Sequence, residues 1–206
     1  MKRITHMIFL STLLMGLISA CSTTQKVTNS ARTATEQLLI SEAISRSLPK
    51  QIDSPLPMPK GAIIKLDVTG LTPDKDMAKS VVAAWLGLLG YVVQDGAEKA
   101  TYRINVVIDS LGSEVGNTFF GIPPIQASLI PISLPELALF KADLQGGYAR
   151  FHLDVFEMPS GRFIASSAPF IADTYYNAYT LLFLISFHRT DLDSPPKIKI
   201  FPRLTK

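Results

Sequence analysis

The spacing of apolar positions predicts an amphipathic helix near the N-terminus, from Ala34 to about Leu48. Thr33 and Glu36 match a capping box, in which a hydroxyl and a carboxylate bind backbone N–H groups at the start of a helix. Pro49 cannot continue a helix and therefore marks the end of this one. The predicted buried stripe consists of Leu39, Ile40, Ala43, Ile44 and Leu48.

A second helix is predicted after Thr72, which can cap it, with Pro73 at its first position. Gly90 follows the last periodic residue and is typical of a helix C-terminus. The predicted apolar stripe consists of Met77, Val81, Val82, Trp85, Leu88 and Leu89.

Alternation of apolar and polar residues predicts several strands. Pro159-Ser160-Gly161 is typical of a tight turn and predicts a hairpin around it. A long apolar run near the C-terminus predicts one last, buried strand. The predicted strands cover residues 64–68, 91–94, 102–109, 149–155, 162–167 and 179–187.

The least regular stretch lies between Gly112 and Lys141. Within it, a long apolar loop is predicted from Phe119 to Phe140, because Pro131 and Pro135 oppose a regular helix or central strand there. If this loop is exposed, it forms a patch large enough to mark a partner or membrane surface. The alternative is that it packs back over the sheet as part of the core. The candidate partner contacts are Phe119, Phe120, Ile122, Ile125 and Leu129.

These elements together predict an α+β fold, with a single mixed, mainly antiparallel sheet, helices on one face and an N-terminal helix. Residues 33–60 are predicted to hold the N-terminal helix and a proline-rich linker. Residues 61–192 are predicted to form the α+β domain, and 193–206 a basic C-terminal tail.

The first residues indicate an export signal. Lys2 and Arg3 precede an apolar run from Ile8 to Ile18, and Ala20 stands directly before Cys21, the single cysteine. The run of about a dozen residues is shorter than the roughly 20 that span a bilayer. This arrangement resembles a bacterial lipoprotein signal, in which residues 1–20 are removed and the cysteine is lipidated; 21–32 would then be a lipidated tether. An uncut membrane anchor and an ordinary secreted protein are the alternatives.

Charge and composition exclude several partners and sites. Removal of Lys2 and Arg3 with the signal reduces the 20 Lys and Arg residues to 18, against 17 acidic residues, so the mature charge is near +1. Nucleic-acid binding needs a clustered basic face, and none is predicted. With Cys21 lipidated, no thiol remains for a nucleophile or metal ligand, and His152 and His188 lie far apart. No cofactor and no metal site are predicted.

The sequence gives little support for a catalytic site. Ser47-Leu48-Pro49-Lys50 matches the S-x-x-K pattern of serine acyl-enzymes, but Pro49 interrupts the helix that this mechanism needs. Five carboxylates could pair as general acid and base, although no spacing selects a pair. They are Asp109, Glu114, Asp154, Glu157 and Asp173. His152 is predicted to lie on the polar face of its strand, and His188 at the edge of the core.

Four segments resemble an uncharacterised family of bacterial lipoproteins, a domain of unknown function. They are Arg32–Leu39, Leu66–Leu71, Pro135–Lys141 and the closing stretch from Leu181 to Leu192. This resemblance implies no activity, cofactor or catalytic residue. A looser similarity of topology links the chain to envelope-assembly lipoproteins of the curli-secretion and penicillin-binding-protein-activator types, which is an analogy at the level of fold.

The sequence therefore predicts a non-enzymatic, periplasm-facing lipoprotein that is attached to the membrane by its lipid and binds an unknown envelope protein. Ser22 is not the aspartate that typically retains lipoproteins in the inner membrane, so the resemblance implies the outer membrane. Two alternatives remain: an oligomeric, membrane-inserting or secretion-assembly lipoprotein, and a carboxylate-dependent hydrolase of envelope polymers.

Overall fold

The computed structural model describes residues 22–24, 32–50, 56–96, 98–123, 125–126, 133–134 and 136–196. The predicted cleavage site at Ala20 and Cys21, the candidate contact Leu129 and most of the C-terminal tail lie outside the described residues.

Two helices form where the sequence predicts them. Helix α1 covers Ala34–Ser47, and its capping box is present: Glu36 N donates to Thr33 Oγ1 at 3.2 Å, and Thr33 N donates to Glu36 Oε2 at 2.7 Å. Helix α2 covers Lys75–Leu88. Neither helix of the described chain is long and apolar enough to cross a bilayer.

The predicted details of α2 are partly wrong. Its N-cap is Asp74 rather than Thr72, whose hydroxyl instead accepts a hydrogen bond from Asp74 N at 3.2 Å. Met77 and Leu88, assigned to the apolar stripe, are exposed, whereas Leu86 is buried. The stripe is therefore rotated, and its buried members are Ala78, Val82, Trp85 and Leu86.

Ten strands account for most of the remaining described chain. They are β1 (Ser22–Thr24), β2 (Ile63–Thr69), β3 (Val92–Gln94), β4 (Tyr102–Ile122), β5 (Ile125–Gln126), β6 (Ser133–Leu134), β7 (Leu137–Glu157), β8 (Phe163–Ser166), β9 (Phe170–Leu181) and β10 (Ile185–Thr190). Eight of them form one sheet in the order β10-β9-β7-β4-β2-β3, with β1 beside β4 and β8 beside β7. Strands β5 and β6 form a separate pair.

The sheet is mixed. Strand β2 is parallel to both β3 and β4, while β1 is antiparallel to β4 and β8 is antiparallel to β7. A mixed sheet with two helices confirms the predicted α+β class.

Two predictions about the apolar segments are wrong. Residues 119–122 and 137–140 are not loop, because they lie in the 21-residue strands β4 and β7. The prolines at 123, 124, 131 and 135 stand between these two strands in the sequence, so none of them interrupts either strand. Residues 179–187 are not one buried strand. They contain the end of β9, a turn and part of β10, and the turn and β10 are exposed there.

The contacts divide the chain into two compact units. We call residues 30–114, 146–176 and 190–206 the α+β unit, and residues 1–29, 115–145 and 177–189 the β-strand unit. Strands β4, β7 and β9 each contribute residues to both units.

The α+β unit contains the hydrophobic core. Its buried cluster joins α1 and α2 to the central strands through side chains such as Ile44, Val82, Ile64, Ile104 and Phe151. Alternate residues of β7 are buried here: Ala149, Phe151, Leu153 and Val155. Trp85 packs edge-on against Phe170, and its indole N–H donates to Pro49 O at 2.9 Å, so the one buried polar atom of this ring is satisfied.

Helix α1 approaches strand β7 closely at Gly147. A Cβ atom there would stand 2.6 Å from the carbonyl of Leu39 and 2.7 Å from Thr174 Oγ1. Thr174, which is buried, donates its hydroxyl hydrogen to Leu39 O at 2.8 Å. The lack of a side chain at Gly147 therefore allows this helix to pack directly on the sheet.

Candidate contact surface

The β-strand unit contains parts of β4, β7, β9 and β10 together with β1, β5 and β6. Leu182 N donates to Leu139 O at 2.9 Å and Phe183 N to Ala138 O at 2.8 Å, which fixes the end of β9 beside the start of β7. Thr180 and Ser186 share a hydrogen bond of 3.2 Å between β9 and β10. On the other side of β7, Asn117 of β4 donates to Asp143. These contacts define rows of residues that run across β4, β7, β9 and β10.

The turn between β9 and β10 is made of large apolar residues. Leu184 N donates to Leu181 O at 3.2 Å, so Leu182 and Phe183 are the central residues of a β-turn. Both have positive φ, 47° and 51°, as in a type I′ turn. Asn-Gly is preferred at these positions because a bulky side chain is strained there. Local backbone preference therefore does not explain why Leu and Phe occupy this turn.

One end of this unit is rich in large apolar residues, with Glu136 as a charged residue directly before β7. We call residues 120–122, 138–140 and 181–185 the apolar end; they lie together on four strands and their connecting turn, and none carries a charge. Most of its large side chains are exposed. Their exposed fractions are 51% for Ile122, 45% for Leu139, 56% for Leu182, 55% for Phe183, 78% for Leu184 and 56% for Ile185.

The next rows of the same strands are polar. In these rows of β7, Lys141 Nζ lies 3.9 Å from Asp143, and Asn117 binds the same aspartate. Lys141 also pairs at 3.0 Å with Glu136, which stands before β7 on the other side of residues 138–140. The Thr180–Ser186 pair continues this polar band on β9 and β10. The unit therefore changes from polar to apolar along its strands within a few residues.

Strand β1 lies beside this boundary. Ser22 is paired with Phe119, Thr23 with Thr118 and Thr24 with Asn117. Three residues of the predicted tether thus form a strand, and Ser22 is the residue that directly follows Cys21. The row that contains Ser22 and Phe119 stands immediately before the apolar end.

The predicted contact residues differ in how exposed they are and in whether the structure describes them. Phe119 and Phe120 lie half-buried in β4, and Ile122 is exposed at its end. Ile125 lies in β5 but its side chain is not described, and Leu129 lies outside the described residues. Sequence reasoning missed the turn at residues 182–184. The signal is a run of five large apolar residues from Leu181 to Ile185, which also fits the predicted buried strand.

A small polar cluster forms on the α+β unit. Asp109 Oδ2 lies 3.5 Å from Arg150 Nε and 3.4 Å from His152 Nδ1, and His152 Nε2 lies 3.9 Å from Asp154. His152 is thus among polar groups, as predicted. The sequence did not indicate that Asp109 and Asp154 would flank it, because they lie 45 positions apart on different strands.

The other candidate catalytic residues do not join this cluster. Glu157 pairs with Arg162 at 3.1 Å; the hydrogen bond and charge of this arginine, together with the Ser160 hydroxyl, hold the pKa of Glu157 below its usual value. Ser47 is buried and donates to Ile44 O at 2.7 Å, so its hydroxyl serves the helix. His188 is exposed on β10 rather than at the edge of a core. No three or more metal-ligating side chains gather within the described chain.

Two clefts open on the α+β unit. One, of about 480 Å³, is lined by residues such as Leu56, Trp85 and Phe170, and none of its lining residues is titratable. The other, of about 810 Å³, lies along α1 and the start of α2, where Arg32 and Asp74 form an ion pair. Neither cleft contains a nucleophile beside a base.

Comparison with known proteins provides no functional assignment. No protein-family model matches the chain, and no characterised protein matches it significantly. Among solved structures, the chain is similar to a Helicobacter pylori protein described as a homologue of the neuraminyllactose-binding hemagglutinin. The two are 16% identical, the match covers 59% of this chain and 70% of the other, and the TM-score is 0.25.

Proposed function

We propose that this protein is a lipid-anchored contact protein of the bacterial outer membrane, without enzymatic activity, that faces the periplasm and holds another envelope component at its apolar end. The lipoprotein-like signal and the position of Cys21 support the anchor. The observation that carries the proposal is the apolar end itself, which exposes six large hydrophobic side chains on neighbouring strands. Exposed apolar patches of this kind mark interaction surfaces.

The composition of the turn strengthens this proposal. A hairpin turn that served only to reverse the chain would gain stability from Asn or Gly, and it would avoid exposed Leu and Phe. Retention of large apolar residues at strained positions is typical of sites where function opposes local stability.

The polar cluster around His152 supports a structural role over a catalytic one. Asp109 is shared between an arginine and this histidine, and the side chains of Asp109 and Arg150 are 34% and 48% exposed. A general acid or base needs a site that excludes water and shifts its pKa, and this cluster is open to solvent. We interpret these ion pairs as a polar network across neighbouring strands.

We also infer that α1 and α2 cover the same face of the sheet in the α+β unit. Both contribute to one cluster with Ile64, Ile104 and Phe151. The other face would then carry the polar side chains, among them Lys65, Asp67 and Asp109.

Site-specific photo-crosslinking in cells tests the contact. A photoreactive amino acid at Leu184, 78% exposed at the apolar end, is expected to form adducts with a membrane lipid or with one recurring envelope protein. The matched position is Leu71, which is fully exposed but belongs to the α+β unit. Adducts at Leu71 alone, or at neither position, would overturn the contact function.

Cys21→Ser tests the anchor separately. This variant is expected to lose acylation, measured by metabolic labelling with palmitate, and to leave the outer-membrane fraction. Normal labelling of the variant would show that Cys21 does not carry the lipid.

A further inference from the structure

We propose that the apolar end inserts into the surface of a glycerophospholipid bilayer and forms a second attachment point beside the lipid on Cys21. This inference rests on the proposed function and names the component that the apolar end contacts. It is carried by the pairing of β1, the composition of the rows that follow it and the exposure of the β9–β10 turn.

The proposed lipid anchor lies next to the β-strand unit. Consecutive Cα atoms are about 3.8 Å apart, so Cys21 is within that distance of Ser22, which is paired with Phe119 on β4. A lipid on Cys21 therefore holds this row of the β-strand unit at the membrane. No long tether separates the anchor from this part of the fold.

The rows that follow the row of Ser22 and Phe119 are apolar. Their length along the strand matches the depth to which a protein surface inserts into one leaflet of a bilayer. On β4 they are residues 120–122, three residues that rise about 3.3 Å each and so extend about 10 Å. Membrane-surface segments typically insert about 5–10 Å, whereas the full hydrocarbon core is about 30 Å thick. The described apolar end is therefore long enough to enter the membrane interface, although it is too short to cross the hydrocarbon core.

The residues at the boundary are those favoured at a membrane surface. Tyr179 stacks on Phe187, with ring centroids 5.2 Å apart, and combines an apolar ring with a polar hydroxyl. Lys141, which pairs with Glu136 at 3.0 Å, lies in the row next to the apolar end, and long basic side chains can keep their charge in the headgroup region. Tyrosine and tryptophan are enriched at this depth in membrane proteins.

The turn is the most exposed part of the apolar end. Leu182 and Phe183 present more than half of their surface to solvent, and Leu184 still more. Burial of such side chains in lipid removes apolar surface from water, which compensates for the backbone strain of Leu and Phe at positive φ. A bilayer accepts such a turn without the shaped pocket that a protein partner would require.

Vesicle flotation with a turn variant tests the inference. The protein is the full mature chain, residues 21–206 with Cys21→Ser, so that no acyl chain contributes to binding. It is expected to float with vesicles of phosphatidylethanolamine and phosphatidylglycerol. Leu182→Asn combined with Phe183→Gly is expected to weaken this binding at least about tenfold, because two large apolar side chains are removed.

This variant separates binding from folding. Asn-Gly is the preferred pair in a type I′ turn, so the melting temperature is expected to stay the same or rise. Leu184→Asp provides a second variant outside the central turn positions, and it is also expected to lose binding. The control, Leu71→Asn with Leu88→Asn, removes exposed leucines from the α+β unit and should bind as the parent does.

A fluorescent label locates the insertion. Because Cys21 is the only cysteine, Leu184→Cys in the Cys21→Ser protein gives a single site for an environment-sensitive dye. We expect a blue shift of its emission on addition of vesicles, and no shift when the dye is at Leu71→Cys. Absence of flotation by the parent, equal flotation of the turn variant, or no shift at position 184 would overturn the inference. Crosslinks from Leu184 to protein alone would also overturn it, while leaving the contact function in place.

Discussion

The α+β unit and the β-strand unit use apolar residues in opposite ways. In the α+β unit, two helices and the central strands enclose a cluster of fully buried side chains, including Ile44, Leu66 and Phe151. In the β-strand unit, the buried apolar side chains that the structure describes are Ala138 and Ala142, while the large ones are exposed or half-buried. The first arrangement stabilises a fold, and the second is the surface for which we propose a contact.

The same strand shows this contrast along its length. Buried positions of β7 have odd numbers from Ala149 to Val155 and even numbers at Ala138 and Ala142. Each unit therefore buries its own set of positions. A single hydrophobic pattern therefore does not run through the whole strand. The loop prediction for its first residues rests on the neighbouring Pro131 and Pro135.

The two units are expected to differ most in how much free energy of unfolding is lost when one apolar side chain is truncated. Phe151→Ala should lower the free energy of unfolding by about 3–5 kcal/mol, because it opens a cavity in the core. Leu184→Ala should change it by less than about 0.5 kcal/mol, since the side chain is 78% exposed. Urea unfolding of both variants measures this. Equal losses would show that the two units do not differ as described.

Close helix packing predicts the next effect. Gly147→Ala should destabilise the protein by about 2 kcal/mol or more, because the added methyl meets backbone atoms of Leu39 at 2.6 Å. Gly146→Ala is the matched control, since its Cβ would meet Thr174 O at an ordinary 3.6 Å. Thermal unfolding should separate the two variants, and a neutral Gly147→Ala would contradict the packing of α1 on β7.

The capping box gives a smaller effect. Thr33→Ala removes the acceptor for Glu36 N and should cost about 1 kcal/mol of stability. Ser45→Ala, in the exposed part of the same helix, should be nearly neutral. Chemical denaturation of both variants is the measurement. A loss at Ser45 as large as that at Thr33 would argue against a specific cap.

The smallest effect concerns the Glu157–Arg162 pair, which lies at the surface of the α+β unit. In the folded chain the pKa of Glu157 is lower than its ordinary value of 4.5. The pair therefore stabilises the folded chain at pH values above 4.5, and this contribution is lost as the pH falls through the lowered pKa. Arg162→Ala should return the pKa of Glu157 toward 4.5 in an NMR titration. Arg150→Ala, which removes the partner of Asp109, should leave that pKa unchanged.

The sequence predicted best where local signals and the fold agree. Thr33, Glu36 and Pro49 marked both ends of α1 correctly, because capping and proline effects act within a few residues. Alternation also located β2 and the first half of β4. In these segments one side of the element faces the core, so periodicity reports burial directly.

The strand and turn predictions were wrong in segments whose apolar residues lie at the surface rather than in a core. Between residues 115 and 122, glycine and aromatic residues give no clear alternation, and nearby prolines suggested a loop. Leu182 and Phe183 occupy a turn where Asn-Gly would be expected, so the hairpin carried no turn signal. The pairing of Ser22 with Phe119 could not be predicted, because it joins residues nearly a hundred positions apart.

Hydrogen exchange of residues 21–206 with Cys21→Ser, with and without phospholipid vesicles, tests whether the apolar end enters a bilayer. We expect vesicles to slow exchange at residues 181–185 and 138–140, while the α+β unit exchanges as it does without lipid. Protection confined to the α+β unit, or no change at the apolar end, would contradict this insertion.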